Sequence, residues 1–180
     1  MILIAGCGLF DTRTPEEPET GRSTFLPPTT PGTVVTNLSY SILEKNSNNY
    51  AKCLSGTSYS YVPDSKSQLI YGSIFQNWTG SSEKFYLDNL ISQTNTHATS
   101  YLFLTDTVTT LISSDSAITT GDYIVVFQHN KTNIPKSSTG NLRLTITSDE
   151  NNFFSIVKWE DFRMNDSDFT WSELKANFSN

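Results

Sequence analysis

The stretch SAITTGDYIVVFQH, Ser116–His129, decides the fold. Its apolar side chains fall on alternate positions. Tyr123, Val125, Phe127 and His129 take one face of an extended chain, and a polar set takes the other. A period of two with one polar face is the pattern of an antiparallel strand that covers a core on one side only. The same period returns in GNLRLTITS, residues 140–148, where Leu142, Leu144 and Ile146 share a face and Arg143 points away. It returns again in FFSIVKWEDFR, residues 153–163, where parity places Phe153, Val157, Trp159 and Asp161 together. Upstream, YLFL at 101–104 opens a further strand ending near Ile112. The polar runs NKTNIPKSST, residues 130–139, and DENN, residues 149–152, separate the strands as a loop and a turn.

Before residue 100 the period changes. Val34, Val35, Leu38 and Ile42 recur at helical spacing after Pro31-Gly32, with Thr30 or Thr33 as N-cap. A short second helix runs from Asn48 to Leu54, and Thr57–Val62 alternates as a short strand. Residues 66–78 read as a helix presenting Leu69, Ile70, Ile74, Phe75 and Trp78 on one broad face. Ser81 or Ser82 caps another helix with Phe85, Tyr86, Leu90 and Ile91 as its apolar side. Past the last strand, Phe169, Trp171, Leu174 and Phe178 fold a final helical turn back onto the body. Helices first and hairpin-linked strands after predict an α+β domain over residues 31–180, with N-terminal helices packed on a curved antiparallel sheet.

Composition narrows the function classes. The chain has 180 residues, 17% charged, with a net charge of −6 and scattered basic residues. Nucleic-acid binding needs clustered Lys and Arg and is not expected. Two distant His and two Cys offer no ligand spacing, so no metal and no cofactor are expected. Cys53 lies in an apolar helical pattern and reads as a small buried hydrophobe.

The element order, with NNFFSIVKWEDF as a closing strand that carries a Trp near its end, resembles the nuclear transport factor 2-like superfamily. That superfamily belongs with the cystatin-like cones and includes SnoaL-like cyclases and ketosteroid isomerase. The resemblance covers about residues 31–163. It implies a cone with an internal pocket, in which family enzymes place an acid or base. The pocket residues it suggests here are Tyr123, His129, Trp159 and Asp161, with a His129–Asp161 pair as the acid–base candidate. The bland alternative leaves His129, Glu160 and Asp161 as solvated strand-end residues, and no catalytic residue is assigned.

The first seven residues carry a different signal. Ile4-Ala5-Gly6-Cys7 resembles a bacterial lipobox, in which small residues fit a peptidase groove and the cysteine thiol receives the diacylglyceryl group. Met1-Ile2-Leu3 is too short for the basic and apolar regions of a full signal, so the motif reads as its remnant. Residues 8–30 hold Pro15, Pro18, Pro27 and Pro28 among Thr and Glu, which predicts an extended, unfolded tether, with Phe25-Leu26 as an apolar pair in it able to dock on the head or on a partner. Gly8 rather than Asp after the cysteine implies, by the same resemblance, the outer membrane. Three roles follow. The first is a lipid-anchored, non-enzymatic envelope protein whose head binds a ligand or protein partner, with the open sheet face pairing to a second copy. The second is a SnoaL-like pocket enzyme acting on a hydrophobic substrate. The third is an accessory subunit of an envelope complex or filament.

Overall fold

The computed structural model describes residues 24–179. Cys7 and the tether up to Ser23 lie outside the described residues. Thr24–Thr30, expected as the end of the tether, lies instead along the head. Asn37 clasps Leu26 by two hydrogen bonds, from Leu26 N–H to Oδ1 (2.9 Å) and from Nδ2 to Leu26 C=O (2.7 Å). Phe154 N–H donates to Pro28 C=O at 2.7 Å, and Phe25 packs on the core. A buried side-chain amide that satisfies a passing backbone on both sides fixes that segment in place. The packed body therefore begins upstream of Pro31.

Thr30 is the N-cap of α1 (Pro31–Leu43), its hydroxyl accepting from Thr33 N–H, and Val34, Leu38 and Ile42 are fully buried. α2 (Ser47–Lys52) follows and buries Tyr50, with Cys53 just beyond it, also buried. β1 (Ser60–Val62) leads through the Asp64 cap into α3 (Ser65–Phe75). α3 departs from expectation. Tyr71 is non-helical, at φ −118° and ψ 19°, next to Gly72. That kink breaks the helical phase, so the residues on either side of it do not form one stripe. Leu69 and Ile70 face solvent, 86% and 55% exposed, while Phe75 and Trp78 are buried.

α4 (Gly80–Ser92) is capped by Thr79, not by Ser81 or Ser82. Thr79 and Ser82 form a reciprocal capping box. Its buried face is Glu83, Tyr86, Leu87 and Leu90, with Phe85 turned outward.

The sheet has the order β1-β5-β4-β3-β2, with β2 (Tyr101–Leu111), β3 (Ser116–Val126), β4 (Ser137–Ser148) and β5 (Phe154–Phe162) antiparallel in sequence order, as expected. β1 adds in parallel to β5, so the sheet is mixed. Two irregularities shape it. In β2 the register shifts between Thr105 and Val108, and Asp106 there takes a positive φ of 49°. Gly121 lies opposite, where a Cβ would come within 3.2 Å of Thr105 C=O. In β5 the register shifts so that Thr145 pairs with Lys158 but Ile146 pairs with Ile156. Val157 is the extra residue. This corrects the expected parity. Trp159 and Asp161 share the inner face with Ile156, not with Val157 and Phe153.

α5 (Trp171–Phe178) closes the molecule, with Thr170 and Glu173 as a capping box. Trp171, Leu174, Ala176 and Phe178 are all buried in the concave side of the sheet.

The interior of the cone as candidate functional site

Gly140 sets the geometry of the interior. It pairs with Tyr123 across β3 and β4, and a Cβ there would come within 2.6 Å of both the Tyr123 hydroxyl and Phe162 C=O. The Tyr123 ring therefore passes directly over a residue without a side chain. Its hydroxyl donates to Asp161 Oδ1 at 2.7 Å and accepts from Trp171 N–H at 2.7 Å. Asp161 Oδ2 accepts from Ser172 N–H at 2.8 Å and from the Ser172 hydroxyl. A buried carboxylate thus meets the free N–H groups at the start of α5, where the helix dipole favours negative charge. Burial pushes the Asp161 carboxyl above the usual range, against the hydrogen bonds of Ser172 and Tyr123 and the charge of Lys175.

A second carboxylate holds the same helix end. Asp64 Oδ2 accepts from Ser67 Oγ (2.5 Å) and Thr170 Oγ1 (2.6 Å), and Arg163 Nε reaches Oδ1 at 3.2 Å. Arg163 also reaches Glu173 in the first turn of α5, at 2.9 Å. Burial pushes the Asp64 carboxyl up, but the Ser67 and Thr170 hydrogen bonds and Arg163 outweigh it, and it lies below its ordinary value.

Deeper in, Glu83 and Lys175 form an ion pair with Oε1 to Nζ at 2.7 Å and no exposure of either side chain. Glu83 accepts further hydrogen bonds from Tyr50 (2.8 Å), Tyr59 (2.5 Å) and Trp78 Nε1 (2.8 Å). The Lys175 ammonium lies 3.6 Å from the Tyr61 ring centre and 4.0 Å from that of Trp159. Burial pulls the Lys175 ammonium down to about 8, opposed by Glu83 and Asp161. Trp159 stands edge-on to Trp171 at 4.6 Å, and Trp171 Nε1–H donates to Tyr86 at 2.9 Å. Tyr50, Tyr61, Tyr86 and Tyr123 are all raised above their ordinary value, first by burial and then by the neighbouring carboxylates.

The structure brings together three of the four residues suggested by sequence, Tyr123, Trp159 and Asp161, around the N-terminal half of α5. His129 lies elsewhere. Its ring is 4.9 Å from Phe178, at the far end of α5, about 10 Å along the helix from Trp171. Its Nε2 is 3.1 Å from Pro135 C=O and its Nδ1 3.0 Å from Lys136 Nζ. Burial, with the nearby Lys136 and Lys131 charges, lowers it. The expected His129–Asp161 pair therefore does not form, because the two side chains serve opposite ends of one helix. Nor are they solvated strand-end residues: His129 is 3% and Asp161 2% exposed.

Sequence reasoning missed Glu83 and Lys175 as interior residues. Both had a signal. Glu83, Tyr86, Leu87 and Leu90 lie at i, i+3, i+4 and i+7, and so do Trp171, Leu174, Lys175 and Phe178. A charge inside an apolar helical stripe faces the core. Among the described residues no three His, Cys, Asp or Glu side chains gather as metal ligands, and no helix is long and apolar enough to cross a membrane. Open grooves lie on the outside. One of about 520 Å³ runs beside Ile74, Trp78 and Phe85, and one of about 420 Å³ beside Asp64 and Arg163.

No protein-family model and no curated protein matches the chain. Solved structures do match in fold. A nuclear transport factor 2-like protein from Cytophaga hutchinsonii is similar with a TM-score of 0.53 at 8% identity, over 73% of this chain and 93% of that one. LinA is similar with a TM-score of 0.54 at 8% identity, over 71% and 79%. A protein of unknown function from Mycobacterium tuberculosis is similar with a TM-score of 0.51 at 11% identity, over 72% and 67%. At these identities the likeness is one of fold, and the α+β cone expected from the sequence is the fold observed.

Proposed function

We propose that this chain, whose fold is the nuclear transport factor 2-like cone, is a non-enzymatic lipoprotein of the bacterial outer membrane that binds a partner through the outside of its head. One observation carries the choice against a pocket enzyme. Tyr123 and Asp161, the pair an acid–base role would draw on, commit their hydrogen bonds to Trp171 and Ser172 of α5. A general base must reach a substrate proton within hydrogen-bond distance, and here the backbone of the chain's own helix takes that position.

The partner side of the reading rests on the open sheet face. Tyr101, Phe103, Val108, Ile124 and Phe162 are exposed on strands β2, β3 and β5. The Arg143–Glu160 pair, bonded at 2.7 and 2.8 Å, sits on the same face between β4 and β5. An apolar strip beside a fixed charge pair of both signs suits a second copy of the same surface. The anchor rests on Ile4-Ala5-Gly6-Cys7 and the Pro-rich stretch behind it.

Two measurements test the proposal. The intact mass of the protein from its native membrane is expected to carry diacylglycerol on Cys7, and an unmodified thiol in cytosolic protein refutes the anchor. Sedimentation of residues 24–180 is expected to show a dimer that Phe103→Asp converts to monomer. A monomeric parent chain refutes pairing through this face.

A further inference from the structure

Of the two imidazoles in the chain, His97 is exposed and His129 is buried. His129 lies on the loop between β3 and β4, which is tied down on both sides. Asn130 N–H donates to Gln93 C=O (2.8 Å), Asn95 N–H to Gln128 C=O (3.0 Å) and Phe127 N–H to Lys136 C=O (3.0 Å). Lys136 is folded into this loop. Its ammonium donates to His129 Nδ1 (3.0 Å), to His129 C=O and to Lys131 C=O (2.7 Å). An ammonium has protons to give and no lone pair to offer, so Nδ1 is the acceptor. The imidazole proton therefore sits on Nε2, where Pro135 C=O accepts it at 3.1 Å. The closed loop thus requires a neutral His129.

A second proton on the ring has only Nδ1 to go to. There it would meet the Lys136 ammonium at 3.0 Å, donor against donor and charge against like charge, with 3% exposure to screen them. The charges that bear most on the ring, Lys136 and Lys131, are both positive and both come from the loop itself. The last turn of α5 brings Phe178 against the ring, and Lys175 one turn earlier is committed to Glu83. The turn after α4, which pairs with His129 through Thr94, carries His97 and is held by Lys45 at the Asn95 and Thr96 carbonyls.

The same loop covers the far end of α5. Two of its groups sit on the Phe178 ring, the His129 imidazole at 4.9 Å and the Lys131 ammonium at 4.3 Å. Lys131 also donates to Asn177 C=O at 2.6 Å.

We propose that the His129–Lys136 contact is an acid-sensitive latch: protonation of His129 drives Lys136 from its seat, releases residues 130–136 and bares Phe178 at the end of α5. Burial, with the Lys136 and Lys131 charges, holds His129 below its ordinary value, against the Pro135 hydrogen bond. A histidine lowered in the folded state steadies the fold above its unfolded value of about 6.5. That contribution is lost as pH falls through the folded value. The latch does not depend on the lipid anchor or on pairing through the open face.

The test is a nuclear magnetic resonance titration of the full chain carrying His97→Gln, so that one imidazole remains. At neutral pH the ring is expected as the Nε2–H tautomer. Its midpoint is expected below about 6.5. The amide signals of residues 130–136, Asn177 and Phe178 are expected to shift with that midpoint, while those of Leu144 and Trp159 stay. A hydrophobic dye is expected to bind in the same step. Lys136→Met removes the opposing charge and is expected to raise the midpoint. His129→Asn keeps an acceptor near the Nδ1 position but takes no proton, and is expected to show no dye step between about pH 5 and 8. Five results each overturn the latch: an Nδ1–H tautomer, a midpoint at or above about 6.5, loop amides that ignore the titration, a midpoint that Lys136→Met leaves unchanged, or a dye step that survives His129→Asn. If His129→Asn does not fold, the tautomer and the amide titration of the histidine-bearing chain decide alone.

Discussion

Gly140 is where one missing side chain decides the interior. Any Cβ there meets the Tyr123 phenol and the Phe162 carbonyl at 2.6 Å, and backbone cannot yield as a flexible side-chain tip can. Gly140→Ala is expected to destabilise by about 1–3 kcal/mol, the usual cost of overpacking. Chemical denaturation measures it, with a blue-shifted near-ultraviolet tyrosine signal as the local marker. Glu160 makes a prediction about pH. Hydrogen bonds from Arg143, then Lys158, hold its carboxyl down to about 2. In the unfolded chain a glutamate titrates near about 4.3, so at intermediate pH the unfolded state binds more protons. The contribution is full above about 4.3 and is lost as pH falls toward about 2. Glu160→Gln is expected to flatten that part of the acid limb in a denaturation series. An acid limb of unchanged slope contradicts it.

At the scale of the element, α5 is an eight-residue helix that owes its place to its partners rather than to its own propensity. Asp161 is central, because it accepts from both the backbone and the side chain of Ser172. Asp161→Asn keeps the shape and removes the charge that faces the helix start. Exchange of the Trp171–Phe178 amides is expected to rise by at least about tenfold, the equivalent of about 1.4 kcal/mol of local opening. The β3 and β4 amides are expected to stay protected. Equal acceleration in both regions contradicts a local role for Asp161. The helices also show how far local pattern reaches. α1 follows its apolar spacing from cap to end, whereas α3 does not, because the Tyr71 kink beside Gly72 changes the phase that the spacing assumed. In β5 a single extra residue, Val157, moves every later side chain to the opposite face from that counted from Phe153.

For the whole molecule, α5 is part of the core and not an appendage. Trp171, Leu174 and Phe178 are essentially unexposed. Each such side chain is worth about 1.5–3 kcal/mol of burial, and a domain's entire stability is about 5–15 kcal/mol. A chain ending at Asp168 is therefore expected to lose cooperative thermal unfolding and to bind a hydrophobic dye, as measured by calorimetry and dye fluorescence. A sharp native-like transition without α5 contradicts this. The same dependence explains why the cone holds its buried Glu83–Lys175 pair. Removing one partner leaves a charge with no solvent, at a cost of about 3–5 kcal/mol.

The sequence by itself determined the class of fold, because side-chain periods of 3.6 and 2 are local properties of the chain. They can be counted at Val34, Leu38 and Ile42, and again at Tyr123, Val125 and Phe127. The resemblance suggested Tyr123, His129, Trp159 and Asp161 as interior residues, but the face that Trp159 and Asp161 take depends on the Val157 bulge, which strand parity did not show. Only the tertiary structure decided what fills the concave side. Lys175 and Glu83 are 92 residues apart, Tyr123 and Trp171 48 apart, and His129 and Asp161 stand at opposite ends of a helix that lies outside both strands. Contacts over such separations depend on how one element docks on another, and the docking of α5 is fixed by packing and buried charge, which no local period encodes.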